Sequence, residues 1–209
     1  MPTARLRSYR PGDLEQLVAI QRECFPPPFP AELWWTKAQI ASHCHLFPEG
    51  ALCAEAEDGS LVGSATAHLL RWDPQDPDHT WAEAADGGML ANHEPDGDTL
   101  YGVDVAVRPA WRGRGIARQF YQARFALVRS RGLRRFLAGS RISGYHLHRD
   151  RLSPEAYAAE VVAGRLSDPV VTPQLRAGLV PVRVVRGYLP DAEASDCALL
   201  MQWQNPDIP

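Results

Sequence analysis

The chain has 209 residues, 45% of them hydrophobic, and a formal net charge of −3. That length suits a single domain over residues 1–209 carrying insertions, with enough apolar residues for one core. The charge balance argues against a nucleic-acid scaffold, and no apolar run is long enough to span a bilayer.

The N-terminal residues, Met1-Pro2-Thr3-Ala4-Arg5-Leu6-Arg7, contain no apolar signal core and lead into a strand pattern over 5–9. Pro11-Gly12-Asp13 opens a helix that runs to about residue 24, anchored by Leu14, Leu17, Val18 and Ile20. The prolines of 26–30 break it, and a second helix is expected over 31–45, with Leu33, Trp34, Ala38 and Ala41 on one face. Residues 51–56 and 60–70 read as a hairpin turned by Glu57-Asp58-Gly59.

A polar insertion rich in Asp, Pro and Gly fills 72–98; loops this long inside a compact domain are usually functional or disordered. An apolar strand follows at 99–107. The next helix, over 118–131, has Ile116, Phe120, Ala123 and Leu127 at helical spacing facing the sheet, and Gly132 just past its end. A short strand is expected at 135–139. Ser153-Pro154-Glu155 marks a helix start, with the helix reaching Gly164. A helical turn over 173–177 closes on Gly178, and 179–188 and 196–204 are the last strands. Cys24, Cys44, Cys53 and Cys197 show no CxxC spacing and sit in apolar contexts, which reads as reduced thiols in a cytoplasmic protein.

The most informative segment is Arg112-Gly113-Arg114-Gly115-Ile116-Ala117, between the central strand and its helix. The first amides of a helix have no intrahelical partner, and the helix dipole adds to their attraction for an anion. Glycine permits positive φ and close approach of a phosphate, and the two arginines add charged donors. No Gly-Lys-Ser/Thr occurs, which excludes a P-loop, and the third glycine of a dinucleotide fingerprint is missing.

Arg112, Gly115 and Ala117 fit the Arg/Gln-x-x-Gly-x-Gly/Ala signature, preceded by Val105-Ala106-Val107-Arg108-Pro109. The chain thereby resembles the GNAT superfamily of acyl-CoA-dependent N-acyltransferases, and the element order β-α-α-β-β-β-α-β-α-β-β extends the resemblance over nearly its whole length. It implies an α+β fold with a mixed sheet of about seven strands, flanked by helices, with extra segments after the third and fifth strands. The runs 97–102, 141–146, 188–191 and 203–206 resemble a subgroup that includes GNAT domains fused ahead of a nitrilase-like amidase. The chain stops at Pro209, so no amidase is expected here.

The resemblance implies acetyl transfer from acetyl-CoA to an amine. Val105, Ala106 and Val107 would offer backbone groups to the pantetheine arm. Arg112, Gly113, Arg114, Gly115, Ile116 and Ala117 would hold the pyrophosphate. Strict alternation would set Val103, Val105 and Val107 on one face of the strand and Gly102, Asp104 and Ala106 on the other. Asp104 is a carboxylate in an apolar strand and needs a partner, solvent or a task. It is either a general base or a group paired with an arginine or capping nearby backbone. Tyr101, near where some members carry a base, is expected to pack or hydrogen-bond.

The family's Tyr-x-x-x-Gly-Phe pattern, whose tyrosine protonates the thiolate, reads here as Gln174-Leu175-Arg176-Ala177-Gly178-Leu179, and a glutamine cannot act as an acid. Tyr145 is the substitute acid named for that role, with Tyr157 or water as alternatives. His43-x-His45 and His146-x-His148 lack partners at metal spacing, so no metal site is expected. The acidic stretch Asp73 to Asp78 would suit a cationic amine, and Trp34, Trp35, Trp81 and residues 25–29 would wall an acceptor cleft. The acceptor expected is a small-molecule or peptide amine, with no nucleic acid or membrane partner, and a homodimer is allowed. Two function classes follow: an active N-acetyltransferase, or a non-catalytic acyl-CoA-binding module acting through a protein partner.

Overall fold

A computed structural model describes residues 4–75 and 77–208. Its strands are β1 (Ala4–Ser8), β2 (Ala51–Ala56), β3 (Leu61–Leu70), β4 (Thr99–Val107), β5 (Arg135–Arg141), β6 (Val180–Val185) and β7 (Ala198–Gln204). They form one seven-stranded sheet in the order β1-β2-β3-β4-β5-β7-β6. β4 and β5 run parallel, which requires a crossover. Helix α4 (Ile116–Ser130) provides it. The other helices are α1 (Leu14–Cys24), α2 (Lys37–Leu46), α3 (Trp81–Ala85), α5 (Pro154–Val162) and α6 (Val171–Ala177).

One face of the sheet carries Leu17, Ile20, Ile40 and Trp81, packed on Tyr101, Val103 and Leu137. On the opposite face Tyr121, Val128, Tyr157 and Val171 pack with Leu100, Phe136 and Met201. Ile116 and Phe120, at the start of α4, cover Ala54, Val62 and Ala65. The α+β class, the mixed sheet and the extra segments after β3 and β5 match the expectation.

Two expected elements come out differently. The helix expected over 31–45 is a 3-10 turn, Ala31–Leu33, followed by α2. Thr36 and Gln39 form a capping box at Lys37, so α2 starts where its end amides are satisfied. The insertion is not featureless either. Thr80 and Glu83 form a second capping box and start α3, and Trp81 from that helix joins the core. All four cysteines are free. Burial pushes the Cys24 thiol up to about 11 and Cys53 up to about 12, which keeps both protonated at neutral pH.

The alternation expected for β4 is broken by a bulge. Thr66 of β3 pairs with Asp104, but its neighbour Ala67 pairs with Gly102, leaving Val103 extra. Val103 therefore packs on the same face as Ala106, whereas Val105 and Val107 pack on the other. The bulge frees backbone groups, and side chains take them up. The Asp104 carboxylate accepts from the Thr66 amide at 2.9 Å and from Gln21 Nε2 at 2.9 Å. Arg124, 2% exposed, donates from one guanidinium nitrogen to the Thr66 carbonyl at 2.7 Å and the Asp104 carbonyl at 2.6 Å.

Beneath the insertion lies His68, fully buried. Its Nε2 donates to the Ala84 carbonyl at 2.8 Å, and its Nδ1 is buried with no partner. Burial, the largest cause, lowers its pKa to about 4. Between that value and about 6.5 the unfolded chain binds the proton that the native state refuses. Stability from this group is complete above the unfolded value and is lost as pH falls.

Two outcomes are expected. In urea unfolding, stability should drop by about 2 kcal/mol between pH 7 and pH 5, and His68→Gln should show a shallower pH dependence than the parent. Arg124→Met should cost about 2–4 kcal/mol at pH 7, because two buried carbonyls lose their donor; a loss below about 0.5 kcal/mol would show that the bulge does not rely on the guanidinium.

Candidate functional site

The β4–β5 ladder has four pairs and ends at Gly102–Ala138. β5 stays paired with β7 as far as Arg141–Ala198, and β4 stays paired with β3 as far as Val107–Gly63. Each strand is thus held on its outer side while the two diverge. A wedge opens between residues 103–107 of β4 and 139–141 of β5. Val105, Ala106 and Val107 lie along its β4 edge, beyond the last β4–β5 pair.

At the end of that edge the chain turns through a 3-10 turn, Pro109–Trp111, into Gly113 and Gly115, with φ of 75° and 79°. A Cβ at either position would meet nothing within 4 Å, so the left-handed backbone, rather than crowding, calls for glycine. Gly115 caps α4 without any side-chain hydrogen bond. The first-turn amides of α4 therefore keep their attraction for an external anion. Arg112 and Arg114 are exposed beside them. Arg112 Nε donates to the Val107 carbonyl at 3.1 Å, and Arg114 lies over the Trp111 ring at 4.8 Å.

A groove of about 760 Å³ runs along α4, lined by Arg118, Tyr121, Gln122, Arg129, Arg176 and Trp203 among others. Three of those six are cations. Behind the lining residue Tyr121 lies Gln174 of α6, buried. Its Oε1 accepts from Ser140 of β5, and its Nε2 donates to Tyr121 Oη at 3.0 Å. The glutamine in the usual tyrosine position thus holds another tyrosine's hydroxyl. Burial raises the pKa of that hydroxyl and keeps it protonated.

The opposite face of the sheet carries a cleft of about 880 Å³ against α1, lined by Arg22, Glu23, Trp34, Trp35, Lys37 and Arg108 among others. Trp34 Nε1 donates to the Phe25 carbonyl at 2.9 Å, which ties the wall at 25–29 to the segment before α2. Trp81 sits 5.8 Å from Trp35, deeper in the core. Arg141, at the end of β5, stacks over Phe29 at 4.8 Å and reaches Asp191 with two nitrogens at 2.5 and 3.0 Å. Two of the distant sequence runs, 141–146 and 188–191, meet in this pair.

Asp104 and Tyr145 are each held by partners of their own. Asp104 borders the wedge, with its carboxylate engaged by Thr66 and Gln21 as described. Tyr145 is buried; its hydroxyl donates to the Leu152 carbonyl at 3.0 Å and its ring lies 5.6 Å from Tyr157. That backbone bond and that packing hold Tyr145 within the segment after β5. Tyr157 in turn donates to Asp168 at 3.0 Å. His43 Nε2 donates to the Gly88 carbonyl at 2.7 Å, and His146 Nδ1 to the Ser143 carbonyl at 2.7 Å. Of the acidic stretch, Asp76 lies outside the described residues, and Asp78 pairs with Arg183 at 3.3 Å.

Sequence reasoning missed Arg124, Gln21, Tyr121 and Tyr188. Only Arg124 carried a usable signal: it stands four residues after Phe120, on the apolar stripe of α4, where a cation must find buried acceptors.

Residues 14–149 match the family model described as Acetyltransferase (GNAT) family. The chain is 45% identical, over 96% of its length and 88% of the other's, to Uncharacterized N-acetyltransferase YkwB of Bacillus subtilis. It is 36% identical to Probable hydrolase YhcX of the same organism, spanning 97% of this chain but 39% of that protein. Among solved structures, the GphF GNAT-like decarboxylase in complex with isobutyryl-CoA superposes with a TM-score of 0.80 at 25% identity, covering 96% of this chain and 99% of that one. Among the described residues no helix is long and apolar enough to cross a membrane. The matched domain covers both the wedge and the glycine cradle, and the chain belongs to the GNAT family as an acyl-CoA-dependent acetyltransferase.

Proposed function

We propose that the protein transfers an acetyl group from acetyl-CoA to a primary amine of a small molecule or peptide. The observation that carries this is the unpaired β4 edge running straight into an uncapped, glycine-flanked helix start. Residues 105–107 would pair with the pantetheine arm as an added strand, the amides of 113–117 with Arg112 and Arg114 would hold the pyrophosphate, and the cationic groove along α4 suits the nucleotide end. The thioester then lies in the wedge, between the groove and the α1 cleft. The amine enters from the α1 side, its nitrogen bonds to the thioester carbon, and the C–S pair leaves on sulfur.

Tyr121 is the best-placed proton donor for that thiolate, since its oxygen accepts from Gln174 and its own proton is left to give. Asp104 is assigned as a positioning residue, because both carboxylate oxygens already accept hydrogen bonds that hold the bulge. Tyr145 is assigned to packing. The identity to an N-acetyltransferase-named relative runs over 96% of this chain and 88% of the other, which supports one domain over residues 1–209. A second reading rests on the likeness to a GNAT-like decarboxylase: loss of CO₂ from a carboxyacyl-CoA such as malonyl-CoA, with the enolate then protonated.

Thiol release from acetyl-CoA over a panel of amines tests the first reading, and conversion of malonyl-CoA to acetyl-CoA tests the second. In calorimetry with acetyl-CoA, Gly115→Glu should abolish measurable binding while circular dichroism stays native. Arg112→Ala and Arg114→Ala should each weaken binding by about 1.5–3 kcal/mol; unchanged affinity in all three variants would move the cofactor elsewhere. Asp104→Asn, which keeps an acceptor for the Thr66 amide, should lose less than about 10-fold in turnover. A loss of about 10²–10⁴-fold with intact acetyl-CoA affinity would instead make Asp104 the base.

A further inference from the structure

At the mouth of the wedge, on the α1 face, three side chains from three separate parts of the chain meet. His79 comes from the insertion, Tyr101 from β4 and Tyr188 from the segment after β6. His79 Nε2 lies 2.7 Å from Tyr101 Oη, and Tyr101 Oη lies 2.8 Å from Tyr188 Oη. The rings also meet edge to face, with His79 centred 5.5 Å from Tyr101 and 5.7 Å from Tyr188. Both tyrosines are buried. The end of the row at Tyr188 is in contact with Gly139, the first residue of β5 beyond the last β4–β5 pair. A Cβ there would lie 2.1 Å from the Tyr188 ring and 2.4 Å from its hydroxyl. The glycine is what allows the hydroxyl to reach the wedge.

The direction of the hydrogen bonds follows from one fixed point. His79 Nδ1 lies 2.9 Å from the Pro77 carbonyl, which only accepts, so Nδ1 carries a proton. In the neutral ring Nε2 is then the acceptor. Tyr101 must donate to His79, and Tyr188 to Tyr101. The Tyr188 oxygen also accepts from the Gly139 backbone at the wedge and keeps one further acceptor position, and the basic nitrogen is displaced two hydroxyls away. We propose that His79, Tyr101 and Tyr188 form a proton relay that takes up the proton lost by the attacking amine.

This rests on the acyl-transfer reading above. As the N–C bond forms and the C–S bond breaks, the amine proton passes to Tyr188 Oη. The Tyr188 proton passes to Tyr101, and the Tyr101 proton to His79 Nε2. The C–S electron pair remains on sulfur, which is protonated separately. His79 becomes an imidazolium with both nitrogens donating, to Pro77 and to Tyr101, and returns its proton to solvent from the half-buried rim. Its charged neighbours suit that cycle. Asp78 and Glu83 favour the imidazolium, but burial, the larger influence, keeps the resting ring neutral by lowering its pKa. Arg183 of β6 partly neutralises Asp78. Among the described residues, Trp72, Tyr101 and Tyr188 also stand against the ring. Tyr188 is the group that meets substrate; Tyr101 and His79 act through it.

The test uses the full chain and the panel amine that the parent turns over fastest. His79→Gln, Tyr101→Phe and Tyr188→Phe should each lower kcat by about 10²-fold or more, with acetyl-CoA dissociation constants within about twofold of the parent. The double variant His79→Gln/Tyr101→Phe should be no worse than either single one, since one wire is cut twice. The parent kcat/KM should rise with pH through the His79 titration, and His79→Gln should flatten that limb. A measurement independent of turnover is ¹⁵N NMR of the imidazoles. It should find His79 protonated on Nδ1, with a titration midpoint that rises in Tyr101→Phe because the donor favouring the neutral ring is gone. Parent-like rates and pH profiles in all three variants, or a His79 titration indifferent to Tyr101→Phe, would overturn the relay. Failure of the parent to bind acetyl-CoA in calorimetry would overturn the acyl-transfer reading itself, a result the imidazole titration does not depend on.

Discussion

One buried guanidinium satisfies the backbone carbonyls at the point where β3 and β4 slip register, just where β4 begins to part from β5. Arg124 reaches from α4 into the sheet and donates to the carbonyls of Thr66 and Asp104, while the Asp104 carboxylate turns back to the Thr66 amide. A sheet interior tolerates an interrupted ladder only where side chains replace the missing partners. The replacement is costly to assemble, because the charge is withdrawn from water; Arg124 also lies over the Phe136 ring at 5.3 Å. Having met that requirement, the fold has an open strand edge in its middle, flanked by two firmly paired strands.

The two faces of the wedge differ in chemistry. On the α4 side the surroundings are cationic and the buried polar groups converge on Gln174, which joins Ser140 to Tyr121. On the α1 side aromatic rings predominate, and the insertion after β3 brings Trp72, His79 and Trp81 over the sheet. That insertion is anchored by a capped turn of helix and by buried histidines whose neutral rings donate to backbone carbonyls, His68 to Ala84 and His43 to Gly88. The anchoring matters because a group such as His79 has a defined tautomer only if its Pro77 contact is held still.

The segment after β5 is locked in a similar way. Asp168 accepts from the Gly144 amide and Tyr157 hydroxyl with one oxygen and from the Val170 and Val171 amides with the other. Arg141 spans from the end of β5 to Asp191 and Glu193. These contacts set the position of Tyr188, three residues before Asp191, and so set one wall of the wedge.

The amino-acid sequence alone determined the α+β architecture, β4 to the residue, the start of α4 to within two, and the glycine cradle. The architecture was read from the resemblance to the GNAT family, and the rest follows from local rules: an apolar run for a strand, glycine where φ is positive, apolar spacing on a helix. The doubt about Gln174 came from its departure from the family's tyrosine pattern, since a glutamine cannot act as an acid. Local rules failed wherever a residue's task is set by a partner far along the chain. The bulge at Val103 reversed the expected faces of β4 because Thr66 and Arg124 take up the freed groups, and no period within 99–107 records that. Asp104 was legible as a carboxylate needing a partner, but only the packing of α1 and β3 supplied Gln21 and the Thr66 amide. Tyr188 and His79 are 109 residues apart in the chain, and their meeting at Tyr101 was decided by the tertiary structure, because hydrogen bonds and ring contacts form between groups adjacent in space.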